Sequence, residues 1–199
     1  MRVNISRHGF TLIELLVVVA IIGFLLSIIV PAIGRARDYS KLIICRTRLR
    51  GLAIGCLAYA GNNDSVLPID KRLYNPHKDL IDLLSSGMYI DRKESYYCPS
   101  ETREDLCFSQ ENYDKGNISY FYYCFTDRPA NRYLSNFLLK SLPWPRELSE
   151  TMPSDKWLFS DSWFSNMPTA HRWYKKGVNY VTLGGSVYMV KRSPRDEFR

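Results

Sequence analysis

The sequence predicts an α+β fold in which one long N-terminal helix, membrane-spanning in its first half, packs against a small antiparallel sheet. Three observations predict it. Residues 10–30 form an unbroken apolar run. Residues 35–62 continue with apolar side chains at helical spacing. The remaining chain consists of short aromatic-rich segments that end in a hairpin pattern. A length of 199 residues allows one domain of ordinary size besides the membrane segment.

The apolar run favours a transmembrane helix. Residues 10–30 include one charged side chain, Glu14, and no proline. A helix of this length covers roughly 30 Å, the thickness of a bilayer's hydrocarbon core. A secretory signal peptide is the main alternative, because Arg2 and Arg7 precede the run. The run is longer than a signal core, however, and no A-x-A cleavage site closes it. A buried helix of a soluble core is a third, weaker interpretation.

The helix is predicted to continue beyond Pro31, to about Ala60. Proline lacks the backbone donor and clashes with the carbonyl four residues earlier, so a kink or local melting is expected there. Beyond it, one apolar helical face recurs at spacings of three and four. Its members are Leu42, Cys45, Leu49, Leu52, Ala53, Cys56, Leu57 and Ala60.

The head beyond residue 62 is predicted to alternate short helices and strands. The apolar face of residues 78–86, followed by Gly87, predicts a helix with a glycine stop. A second helix is expected at 131–140. A strand that ends in a turn is expected at 96–100, and further strands are expected at 117–126 and 156–161, the last of them buried. Gly184 and Gly185 separate two β-rich runs, 178–183 and 186–190, and predict a tight hairpin in which both glycines adopt positive φ.

The net charge of +7 is unevenly distributed. Lysines and arginines cluster in residues 35–50, where Asp38 is the single acid. Residues 51–199 carry nearly equal numbers of acidic and basic side chains. A nucleic-acid-binding head normally shows a basic patch, so no nucleic-acid partner is expected.

The N-terminus carries a specific motif. A basic leader ends in His8-Gly9, and the sequence FTLIELL follows, beginning at Phe10. This pattern resembles the processing motif of type IV prepilins and type II secretion pseudopilins. The resemblance implies a leader of residues 1–9, cleavage between Gly9 and Phe10 by a prepilin peptidase, and methylation of Phe10 by the same peptidase/methyltransferase. It also implies a pilin-like arrangement of the rest of the chain.

That arrangement divides the mature chain into three parts. The resemblance implies a transmembrane and assembly helix in residues 10–34, an amphipathic continuation in 35–62 and a globular α+β head in 63–199. Pro31 occupies a position where many family members have proline, and it is assigned to the assembly helix with Glu14.

Glu14 is the candidate assembly residue. A carboxylate inside an apolar span costs at least about 2.5 kcal/mol unless it is paired or neutralised. The resemblance implies that Glu14 of one subunit pairs with the new amino group of Phe10 on a neighbour. The alternative is that Glu14 lies near the membrane interface and reaches water.

The resemblance also implies location and partners. It places the chain in the bacterial inner membrane as a single-pass protein, with the N-terminus cytoplasmic and the head outside. Other pilin-like subunits, identical or different, are the implied partners. The basic cluster at 35–50 opposes this orientation, because positive charge beside a span favours the cytoplasm. The motif takes precedence, and the cluster is expected to contact lipid headgroups or acidic surfaces of adjacent subunits.

The predicted function is that of a structural subunit of a type II secretion pseudopilus or a type IV pilus-like filament. A minor pilin-like adhesin or uptake component with a ligand-binding head is one alternative. A membrane-tethered enzyme is another. Phosphate-loop, H-E-x-x-H and G-x-S-x-G motifs are missing from the sequence, and its three histidines are scattered, so no enzymatic activity is predicted.

The five cysteines leave two alternatives open. An oxidising compartment would allow one bridge among Cys98, Cys107 and Cys124. Otherwise the cysteines are buried thiols that behave as small apolar residues. A zinc site formed by these three cysteines with His77 fits no standard ligand spacing.

No cofactor is expected from the sequence. Some relatives stabilise the head with calcium, so the resemblance allows a calcium site. Asp64, Asp70 or Asp161 could supply its oxygen ligands, although no EF-hand-like loop is present.

Overall fold

The structure, a computed structural model, comprises two compact units, Met1–Ser40 and Lys41–Arg199. The structure describes residues 12–70, 75–124, 154–155, 157–161, 163–164, 167–168 and 177–190. The helix predicted at 131–140 lies outside these residues.

Helix α1, Leu12–Gly61, contains 50 residues and includes Pro31. The prediction that the helix resumes after Pro31 and ends near Ala60 is confirmed. Local melting at Pro31 was wrong, because the helix is continuous there. Proline removes one backbone hydrogen bond, and the turns on either side retain enough of theirs to keep the helix intact.

The second half of α1 belongs to the larger unit and supplies one side of its core. The residues that it buries are Leu42, Cys45, Leu49, Leu52, Ala53, Gly55, Cys56 and Ala60. The predicted apolar face is therefore confirmed, except that Leu57 is only half-buried and Gly55 joins the face.

The sheet has four antiparallel strands in the order β1-β2-β5-β6. These strands are β1, Tyr120–Tyr122; β2, Trp157–Asp161; β5, Val178–Thr182; and β6, Val187–Val190. A separate two-stranded sheet pairs β3, Trp163–Phe164, with β4, Met167–Pro168. The chain therefore has the predicted α+β fold.

Strand β2 is the buried centre of the larger sheet. It pairs with β1 on one side and β5 on the other, and all five of its residues are buried. The predicted buried strand at 156–161 is thus confirmed. Strand β1 is shorter than the predicted 117–126, and its residues are all buried rather than alternating.

The closing hairpin is confirmed, with a looser turn than predicted. Four residues, 183–186, connect β5 to β6. Only Gly185 has positive φ, 75°. Gly184 instead donates its backbone N–H to the Ser154 carbonyl at 2.8 Å. A four-residue turn closes with a single left-handed residue, whereas the predicted two-residue turn would need two.

The short helices give a mixed outcome. Helix α2, Lys78–Ser86, has the predicted bounds. The strand predicted from residue 96 was wrong, because a 3₁₀ helix, Lys93–Tyr96, occupies its start, whereas the turn predicted at its end is present at 99–100. The Tyr97 N–H donates to the Glu94 carbonyl at 3.1 Å, and the Tyr96 carbonyl accepts one long-range bond, from the Ser119 N–H at 3.1 Å. Helix α3, Gln110–Lys115, was not predicted.

The core of the larger unit is unusually aromatic. Side chains of α1 and α2 pack with those of β1, β2 and β5 in one cluster. Its largest fully buried side chains include Tyr96, Tyr97, Tyr120, Tyr122 and Phe159. The head is therefore built directly on the second half of α1.

Candidate functional site

The first half of α1 exposes an apolar surface along its whole length. All residues from 12 to 37 are exposed. Leu12 is 81% exposed, Phe24 67% and Val30 65%. Contiguous apolar surface of this size marks a membrane or protein contact. Among the described residues, α1 is the one helix long and apolar enough to cross a membrane, with a mean hydropathy of 3.0 in its best window.

Glu14 lies in the first turn of α1. It is exposed, and its neighbours around a shallow surface pocket are Ile13, Val17 and Val18. The position favours a carboxylate, because the amide dipoles at a helix N-terminus carry partial positive charge. Gly9 and Phe10 lie outside the described residues, so their predicted processing stays a prediction.

The sequence ahead of and along this exposed helix matches one family model. Residues 5–30 match the prokaryotic N-terminal methylation motif. This motif is the leader signature of type IV prepilins and pseudopilins. Its matched range includes Gly9, Phe10 and Glu14, and it ends just before Pro31. No curated protein and no solved structure matches the chain.

The methylation motif and the exposed helix agree with each other. A type IV pilin-like or pseudopilin subunit carries the motif at the start of an apolar helix, and here the matched range covers the helix from Leu12 to residue 30. A long apolar N-terminal helix with this motif fits a membrane-anchored protein.

Part of the basic cluster contacts the head. Arg46 donates its Nε–H to the Asn179 side-chain oxygen at 3.1 Å. Arg48 donates from Nη1 to the Tyr97 carbonyl at 2.6 Å. Both arginines are half-buried. The folded head therefore supplies acceptors for these two arginines, and contact of the cluster with lipid headgroups or adjacent subunits stays a prediction.

The structure places the three candidate bridge cysteines in different surroundings. Cys107 is half-buried and donates its thiol hydrogen to the Glu101 carbonyl at 3.2 Å. Cys124 is buried near Cys56. Cys98 lies beside Cys45, outside the predicted set. All five cysteines are thiols in the structure, four of them buried, and the bridge predicted among Cys98, Cys107 and Cys124 stays a prediction.

A buried polar cluster surrounds Cys45 and was missed in the sequence. The ligand atoms of Cys45, Cys98 and Asp161 all lie within 4.8 Å of one another. Cys45 donates its thiol hydrogen to Asp161 Oδ1 at 3.1 Å. Asp161 Oδ2 accepts the backbone and side-chain N–H groups of Asn179 at 2.9 and 2.8 Å. The helical stripe predicted that Cys45 is buried, but not what covers it.

The cluster strongly disfavours a thiolate at Cys45. Burial raises the pKa of Cys45, and the neighbouring Cys98 and Asp161 raise this pKa further. The Tyr120 hydroxyl lies 3.5 Å from the same sulfur, and burial raises the pKa of Tyr120 as well. Cys45 is consequently a neutral, hydrogen-bonded thiol at physiological pH.

The predicted zinc and calcium ligands do not come together in the described residues. His77 lies near Asp70, with its Nδ1 3.3 Å from Asp70 Oδ2. Asp70 also accepts the Leu80 N–H. Asp64 is exposed in a left-handed turn, and Asp161 belongs to the cysteine cluster. These carboxylates have separate protein neighbours, and calcium binding stays a prediction.

Proposed function

We propose that this chain is a type IV pilin-like structural subunit. It is trimmed between Gly9 and Phe10, methylated at Phe10, and assembled through α1 into a type II secretion pseudopilus or a type IV pilus-like filament. The observation that supports this proposal is that the methylation motif at 5–30 overlaps the apolar first half of α1, in which residues 12–37 are all exposed.

The exposed half of α1 has two uses in this proposal. Apolar surface gains about 25 cal/mol per Å² when it leaves water. A bilayer provides that environment while the subunit is stored, and the helices of neighbouring subunits provide it in the filament. One surface therefore serves both states, and the subunit needs no refolding to move between them.

Glu14 supplies the register in this assembly. A carboxylate inside a membrane-spanning apolar segment costs at least about 2.5 kcal/mol unless it is neutralised. Cleavage after Gly9 creates a positively charged amine on Phe10, four residues before Glu14 in the sequence. Pairing Glu14 with that amine on an adjacent subunit neutralises both groups. The pair forms at one axial offset only, so it selects the stagger between subunits.

The head is carried rigidly by the second half of α1. Leu49, Leu52 and Cys56 of the helix are fully buried in the same core as the sheet. A force applied along the helix therefore acts directly on the head. We place the head outside the inner membrane, and we name the prepilin peptidase and other pilin-like subunits as partners.

The decisive variant for assembly is Glu14→Ala. The substitution leaves the cleavage site intact, so normal trimming is expected, while incorporation into filaments should be lost. Quantitative immunoblotting of sheared filaments and of the membrane fraction separates the two outcomes. Ser27→Ala is the matched control, because Ser27 is another exposed polar residue of the same span and donates to the Phe24 carbonyl. Normal incorporation of Glu14→Ala would refute the assembly role.

A further inference from the structure

Two cysteines from distant parts of the chain meet in the head. Cys45 is on the buried face of α1, and Cys98 lies in the loop after the 3₁₀ helix. Their sulfurs lie within 4.8 Å of each other, and the two thiols are hydrogen-bonding neighbours. Cys45 is 0% exposed and Cys98 is 4% exposed. A rotation about the side-chain bonds is the movement that would bring such sulfurs to bonding distance.

We propose that Cys45 and Cys98 form a disulfide bond when the chain folds in an oxidising compartment, fastening α1 to the loop at 97–100. The proposal rests on the proposed function in one respect, since that function places the head outside the cytoplasm, where disulfides persist.

The other cysteines are placed less favourably. Cys56 and Cys124 are near each other, but the Tyr122 hydroxyl is a hydrogen-bonding neighbour of both thiols. Cys107 is half-buried and bonds to a backbone carbonyl. The Cys45 thiol, by contrast, has another thiol, that of Cys98, as a hydrogen-bonding neighbour.

A disulfide suits this cluster better than a metal ion does. A structural zinc site closes with four ligands, and the cluster offers three among the described residues. Asp161 already accepts two N–H groups on Oδ2 and the Cys45 thiol on Oδ1.

The bond must form during folding, because both sulfurs are inaccessible in the folded head. The oxidant is the disulfide of a thiol oxidoreductase. The Cys98 thiolate attacks that disulfide, forming a mixed disulfide and releasing one oxidant thiol. The Cys45 thiolate then attacks the Cys98 sulfur and displaces the second oxidant thiol. Two electrons and two protons pass from the cysteines to the oxidant.

The bridge would close a loop of about fifty residues, which lowers the entropy of the unfolded chain. It joins the helix that transmits force in the proposed filament to the loop beside the core of the head. We therefore expect the thermal midpoint of the head to fall by about 10 °C when the bridge is removed.

Peptide mapping tests the bridge directly, because each of the five cysteines lies in a different tryptic peptide. The full chain is extracted from the membrane fraction with thiols trapped by N-ethylmaleimide, digested without reduction and analysed by mass spectrometry. Peptides 42–46 and 94–103 should appear linked, with neither cysteine alkylated. Cys107→Ser should retain this linked peptide, whereas Cys45→Ser should remove it and leave Cys98 alkylated.

Three results would overturn the proposal: alkylation of both Cys45 and Cys98, linkage of Cys98 to Cys107 or Cys124, or one bound zinc per chain with both thiols reduced. The N-terminal peptide in the same digest reports whether the chain was matured. If the leader is retained, the proposed function fails, and the bridge is then tested by refolding the chain with oxidised glutathione. Absence of the 45–98 link after refolding would also overturn it.

Discussion

At the residue scale, the buried thiols of the head control its response to alkaline pH. Burial raises the pKa of Cys56, with a smaller opposing effect from the Tyr122 hydrogen bond and a further increase from Cys124. In the unfolded chain this thiol ionises near pH 8.5. Below that pH both states hold the proton, and stability is unaffected. Above it the unfolded state binds fewer protons, so stability falls as pH rises toward the folded-state pKa.

We therefore predict a difference in slope between wild type and Cys56→Ala. Between pH 9 and 10 the wild-type free energy of unfolding should fall more steeply, by up to about 1.4 kcal/mol per pH unit. Urea unfolding of the full chain in detergent at several pH values measures both slopes. Cys107→Ala is the control, since Cys107 is only half-buried and its removal should change the slope less. Equal slopes for wild type and Cys56→Ala would contradict the prediction.

Some features of individual residues could be predicted from the sequence, and the surroundings of Cys98 could not. Periodicity placed Cys45 on the buried face of α1, and it also identified Glu14 as a lone charge in an apolar span. The partner of Cys98 depends instead on the path of the loop that follows the 3₁₀ helix. That path is set by the burial of Tyr96 and Tyr97, which no local pattern encodes. The sequence therefore left the pairing among Cys98, Cys107 and Cys124 open and did not indicate that Cys45 lies beside Cys98.

At the element scale, two glycines of α1 should respond differently to alanine. A Cβ at Gly51 would meet nothing within 4 Å, whereas one at Gly55 would lie 2.7 Å from Ile90 Cδ1. Alanine is favoured over glycine in a helix interior by about 1 kcal/mol. Gly51→Ala should therefore raise the free energy of unfolding by about 0.5–1 kcal/mol.

Gly55→Ala should gain less than Gly51→Ala, or lose stability, because the Ile90 side chain must move to admit the methyl group. Urea titration of the two variants side by side gives the comparison, in which each glycine serves as the other's control. If Gly55→Ala proved the more stable of the two, the packing of α1 against residue 90 would be incorrect.

Elements with strong local signals were the ones that could be predicted. The stripe of α1, the glycine stop after α2, the apolar run of β2 and the paired glycines of the closing hairpin each carry their own signature. The misassigned 96–100 segment has aromatic side chains typical of a strand, but among the described residues it makes local turn bonds and a single long-range backbone bond, from the Ser119 N–H to the Tyr96 carbonyl, instead of pairing as a strand. Helix α3 is only six residues long. Its stability depends on the Ser109 cap and on Gly116 at φ 83°, and sequence periodicity does not detect so short a helix.

At the scale of the whole molecule, the two compact units have opposite surfaces. Residues 12–37 are exposed and almost entirely apolar, as a segment destined for lipid or for other helices would be. The larger unit buries its apolar and aromatic residues in one core and bonds Arg46 and Arg48 into the head. This division is the one that the proposed function requires.

The proposed function is tested most directly by the mass of the mature chain and of its N-terminal peptide. Intact and peptide-level mass spectrometry of the chain from the bacterial membrane fraction would locate the first residue and any methyl group. The proposed function predicts a chain that begins at N-methylated Phe10. A chain that retains residues 1–9, or one that begins beyond Pro31, would contradict it.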